Sequence, residues 1–157
     1  MVVRYTDAEI EEMIKEPKTL PTDLPAVPKL NRKRGHTEKQ YDIDGTRGNK
    51  YRLILRQCDA NPIDFSAILM HIPSDSNQLF TLRRYNGKHG QHSNSIEGEE
   101  FYDFHVHKAT ERYQDLGADE ESFAEITDRY NDLHTALACM IEDCGFVLPD
   151  EDQRRLF

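Results

Sequence analysis

The chain has 157 residues and a formal net charge of −9; it is 37% hydrophobic and 31% charged, with no low-complexity run. That length suffices for one domain with its own core, and the composition excludes a disordered or fibrous chain. No apolar stretch approaches the ~20 residues of a bilayer-spanning helix, and the start, Met1-Val2-Val3-Arg4-Tyr5-Thr6-Asp7, lacks a basic-then-apolar leader, so a cytoplasmic protein is expected.

Thr6-Asp7-Ala8-Glu9 reads as a capping box, and Ile10, Met13 and Ile14 follow at helical spacing until Pro17 stops the helix. Residues 18–39 carry Pro21, Pro25 and Pro28, then Lys29, Arg32, Lys33 and Arg34, the composition of a basic arm or linker. Beyond it the period changes to two. Lys39–Asp44, Lys50–Gln57, Phe65–Ile72, Gln78–Tyr85 and Phe101–His107 read as strands, joined by turn-forming connections and one long polar loop from Asn86 to Glu100. A last helix runs from about Asp128 to Cys144, with Leu133, Leu137, Met140, Ile141 and Cys144 on one face and Gly145 as the cap glycine.

The expected fold is therefore α+β. An antiparallel four- to five-stranded meander sheet packs an N-terminal helix and a C-terminal helix on one face. The expected organisation is an amphipathic helix over 1–17, the arm over 18–39 and an α+β domain over 40–157, together one folded unit. Cys58, Cys139 and Cys144 form no CxxC pair, which suits reduced thiols rather than a disulfide frame.

Charge is uneven. Residues 113–157 carry the whole of the −9, whereas Leu82 to Ser95 holds Arg83, Arg84 and Lys88 without an acid. Histidines gather beside this basic stretch, in Lys88-His89-Gly90-Gln91-His92-Ser93-Asn94 and Phe101-Tyr102-Asp103-Phe104-His105-Val106-His107. If the second segment is one strand, alternation turns Tyr102, Phe104 and Val106 to the core and sets Asp103, His105 and His107 in a row on the open face. Arg52 and Arg56 belong to that same face by the same rule, with either Arg83 or Arg84.

Two chemistries fit such a row. Metal-free RNA cleavage would use His105 and His107 as acid and base, with His92 and Tyr113 assisting. Arg52, Arg56, Arg84, Lys88 and Asn94 would then hold the phosphate and stabilise its developing charge. The alternative is zinc on His105, His107 and a further ligand among His92, His89 and Asp103. Nearby arginines weigh against a dication, so no cofactor is the first expectation and zinc the second. His71, His134 and His36 are expected to play structural or solvent-exposed parts.

The chain resembles a small prokaryotic family of unknown function. The resemblance lies in Asn86-Gly87-Lys88-His89-Gly90-Gln91-His92-Ser93-Asn94, Phe104-His105-Val106-His107, Thr127-Asp128-Arg129-Tyr130 and Cys144-Gly145-Phe146. It implies a His-x-Asn loop and a His-x-His strand as shared features, which points again to His92, Asn94, His105 and His107. More loosely, a helix followed by an antiparallel meander is similar to RelE- and barnase-like ribonuclease toxins. The expected function is RNA binding, with ribonuclease action of a toxin–antitoxin or phage-defence type. The alternatives are a non-enzymatic module whose acidic stretches (Asp115 to Glu125, Asp150 to Asp152) meet a basic protein partner, and a zinc-binding protein.

Overall fold

A computed structural model describes residues 3–22, 31–33, 35–88 and 90–147. In chain order the elements are α1 (Asp7–Lys15), β1 (Lys18–Thr19), β2 (Asn31–Lys33), β3 (His36–Asp44), β4 (Lys50–Cys58), β5 (Phe65–Ile72), β6 (Phe80–Asn86), β7 (His92–Asn94), β8 (Glu99–Phe101), β9 (His105–Lys108), α2 (Glu111–Asp115), β10 (Ala124–Ile126), α3 (Leu133–Asp143) and β11 (Phe146–Val147).

The α+β expectation holds. One antiparallel sheet runs β10-β9-β6-β5-β4-β3-β2, a meander that the short β7–β8 hairpin interrupts between β6 and β9. The five expected strands form its body, and β2 and β10 extend it by one at each edge. None of the described helices is long and apolar enough to cross a membrane.

Strand alternation explains the layering. Tyr51, Leu53 and Leu55 of β4 and Phe65, Ala67 and Leu69 of β5 point to one face, where they are at most 1% exposed. Ile10, Met13 and Ile14 of α1 and Leu133, Leu137 and Met140 of α3 close the same core. Thr6 caps α1 by the capping box read from the sequence. α3 begins later than expected, at Leu133 behind the N-cap Asp132. Just before it the Tyr130 hydroxyl lies 2.8 Å from the carbonyl oxygens of both Asn86 and His105, sharing its proton between them.

The helix C-termini meet at a buried lysine. Lys18 is fully buried, and its ammonium donates to the carbonyls of Met13, Ile14 and Glu16 at the end of α1 and to that of Cys144 after α3. Burial lowers its pKa to about 8. Beside it the Glu16 carboxylate accepts from the Tyr51 hydroxyl, the Asn49 amide and the Arg47 N–H. A Cβ on Gly45 would stand 2.4 Å from that carboxylate, so the β3–β4 turn comes this close only because the residue is glycine. The ends of the 18–39 stretch thus belong to the fold: Lys18 sits in β1, and β3 starts at His36. Pro25, Pro28, Lys29 and Arg34 lie outside the described residues, as do His89 and Asp150 to Asp152.

Candidate metal centre

The second sheet face carries the site, and register shows how. His105 lies opposite Asn86, which lies opposite Ser66 and then Arg56; His107 lies opposite Arg84, then Ile68 and Ile54. Cross-strand neighbours share a face, so β6 sets Arg84 and Asn86 beside the two histidines. The choice between the two arginines is settled here. Arg84 faces the histidines, whereas Arg83 turns to the helices, where it donates to the Tyr85 hydroxyl and lies 3.9 Å from Asp143.

The face is not open at this end, which corrects the sequence reading. The β7–β8 hairpin folds over it and brings His92 onto the pair. The His92 ring stacks on His105 at 5.3 Å between centroids and meets His107 edge-on at 4.7 Å. Phe101 closes one side, against both His92 and His105. His105 is 2% exposed. Asp103 does not join the row, because the strand begins only at His105. Before it, Tyr102 is 63% exposed, while Phe104 packs towards Phe65 and Tyr130.

One ring nitrogen from each of His92, His105 and His107 lies within 4.8 Å of the other two. Nitrogens held tetrahedrally by zinc at ~2.05 Å stand about 3.4 Å apart, a difference within the reach of small side-chain rotations. The hydrogen bonds fix the proton on each ring. His105 Nδ1 lies 2.7 Å from the Asp103 carbonyl, and His107 Nδ1 lies 2.7 Å from the Glu121 carbonyl. A carbonyl only accepts, so both Nδ1 atoms carry the proton and both Nε2 atoms the lone pair.

Asn94 does the same for His92. Its Nδ2 donates to the Ala124 carbonyl and its Oδ1 accepts from the Ala124 N–H, so the amide has one orientation. That Oδ1 lies 2.8 Å from His92 Nε2, which therefore carries the proton and leaves the lone pair on Nδ1. Imidazoles with one ring nitrogen fixed by an acceptor are the arrangement that metal-ligating histidines adopt. Burial pushes His107 down to about 3, helped by His105, His92 and Arg84, so it is neutral across the physiological range.

A cavity of about 350 Å³ adjoins the cluster, walled by His92, His107, Arg84, Tyr113, Glu121 and Ser95 among others. Arg84 lies 3.5 Å from Glu121, so a carboxylate offsets the cation that weighed against a dication. Tyr113 is buried in the wall and donates to Glu97.

The other expected site residues lie elsewhere. Arg52 is paired with Asp42 and Arg56 with Glu38, on a strand three places from β9, roughly 14 Å at the usual strand spacing. Lys88 places its ammonium over the Phe104 ring. His71 is buried against the Tyr5 hydroxyl, and His134 lies exposed on α3. Part of the acidic stretch is engaged internally: Asp115 pairs with Arg4, Glu125 with Lys108, and Glu120 accepts from the Thr81 N–H. Three structural parts of the site had not been expected: the β7–β8 hairpin, the Asn94–Ala124 clamp and the Glu121 carbonyl.

Comparison with protein-family models, curated proteins and solved structures returns no match.

Proposed function

We propose that this protein binds one divalent transition-metal ion, zinc first among them, through His92, His105 and His107, and uses it to activate water for hydrolysis. The observation that carries this reading is the convergence of three imidazole nitrogens within 4.8 Å, on rings that each have one nitrogen fixed by an acceptor. Imidazole suits zinc and its neighbours in the first transition row. Structural zinc sites close with four protein ligands, whereas catalytic ones use three and leave a position for water. Among the described residues no carboxylate or thiolate joins the three histidines, and a cavity adjoins them. A metal at such a position lowers the pKa of bound water towards neutrality and so supplies a nucleophile.

Metal-free ribonuclease action is the weaker reading. It requires one imidazolium beside one neutral imidazole, and burial bars His107 from the acid's part. Arg52 and Arg56, the intended phosphate contacts, are already paired with carboxylates away from the histidines.

Titrating the full chain with cobalt(II) separates the two. The expected result is the intense visible absorption of a four-coordinate ion, saturating at one equivalent and absent from His105→Ala and His107→Ala. A titration without such bands overturns the metal reading, as does RNA cleavage that needs both histidines and proceeds undiminished in excess chelator.

A further inference from the structure

The wall of the cavity beside the histidines contains an arginine whose hydrogen-bonding capacity is incompletely used. Arg84 Nε is buried and has no acceptor among the described residues, and its guanidinium meets Glu121 only at 3.5 Å. A buried guanidinium N–H without an acceptor in the chain is costly, so it calls for a partner from outside the chain, a ligand or an ordered water. Arg84 is held in place by β6, directly opposite the metal-ligating His107. Ser93 and Ser95, from the β7–β8 hairpin, also line the cavity, Ser95 through a hydroxyl that bonds to Tyr113.

We infer that this cavity is a phosphoryl subsite, in which a phosphate group would meet the guanidinium of Arg84, the Ser93 hydroxyl and the ion that His92, His105 and His107 would hold. The inference rests on the metal reading above and names the substrate class of that same centre, a phosphate ester. The groups that would meet it come from three places: the histidine cluster of β7 and β9, Arg84 on β6 and Ser93 of the hairpin. A tetrahedral oxyanion presents oxygens in all three directions, and a planar carboxylate does not. The acids nearby do not forbid an anion. Glu121 is paired with Arg84, Asp119 is exposed, and a dication beside the arginine leaves the pocket positive.

The reaction that follows is balanced without any further reactant. An oxygen of water bonds to phosphorus, the bond from phosphorus to the ester oxygen breaks, and the proton lost by the water is matched by the one the leaving alcohol gains. The products are free phosphate (or a phosphomonoester, from a diester) and an alcohol.

The test uses inorganic phosphate and acetate as probes on the zinc-loaded full chain, by calorimetry, with zinc content measured on every sample. Phosphate is expected to bind at one per chain and more tightly than acetate. Arg84→Gln is expected to weaken phosphate at least tenfold while zinc stays at one per chain. Arg84→Lys keeps the charge, loses the Nε donor and is expected to fall between the two. Absence of phosphate binding to zinc-loaded wild-type chain overturns the inference, as does equal binding by both variants at full zinc content. A wild-type chain that holds no zinc instead sinks the centre, and the subsite with it.

Discussion

At the scale of single residues, the site is decided by what stands behind each imidazole. His105 and His107 owe their lone-pair direction to two backbone carbonyls, which no side-chain substitution removes directly. His92 depends on one side chain, Asn94, which is 1% exposed and clamped on Ala124 at both its oxygen and its nitrogen. Asn94→Ala should therefore lower metal affinity by about 10- to 100-fold, the usual effect of losing an outer-shell partner. Competition against a chelator measures it, with a circular dichroism spectrum to confirm the fold; unchanged affinity in a folded variant would remove Asn94 from the account. The sequence marks His92, Asn94, His105 and His107 as belonging together. It does not show which nitrogen each ring offers, because that follows from the Asp103 and Glu121 carbonyls and from an Asn94 amide that Ala124 orients, and the fold is what aims them.

Among the elements, some were legible and some were not, for identifiable reasons. β4 and β5 carry apolar residues at alternate positions against a core, so period two reads them directly. The β7–β8 hairpin, His92–Asn94 paired with Glu99–Phe101, has only Phe101 as an apolar anchor and is held by polar bonds, so its strands read as loop. The long strand expected over Phe101–His107 breaks because Phe104 is drawn into the aromatic cluster of Phe65 and Tyr130. Lys18 is the least legible residue, a charged side chain in a Pro-rich stretch that holds two helix ends together. Lysine at helix C-termini complements exposed carbonyls and the dipole. Lys18→Met keeps the volume but strips four buried carbonyls of their donor, so it should destabilise the fold by about 3 kcal/mol or more. Urea unfolding measures this, and a loss below about 1 kcal/mol would contradict the role given to Lys18.

For the molecule as a whole, the sheet is the frame. One face is a continuous core under α1 and α3. The other carries paired charges at the β3–β4 end and the histidine cluster at the β9–β10 end, covered by the hairpin. Net charge said little about where this site lies, since the acid-rich C-terminal third partly folds back onto the site's own strands through Glu121 and Glu125. A site assembled from β6, β7 and β9 also couples metal binding to folding, because the ligands converge only in the native chain. The most direct measurement is the zinc content of the purified full chain after zinc loading and exhaustive dialysis, for the wild type and for His92→Ala, His105→Ala and His107→Ala. About one zinc per wild-type chain is expected, with loss of it in each variant and a higher melting temperature for the loaded wild type than for the metal-stripped chain. A folded wild-type chain that retains no zinc, or variants that retain it as fully as the wild type, would contradict the metal reading.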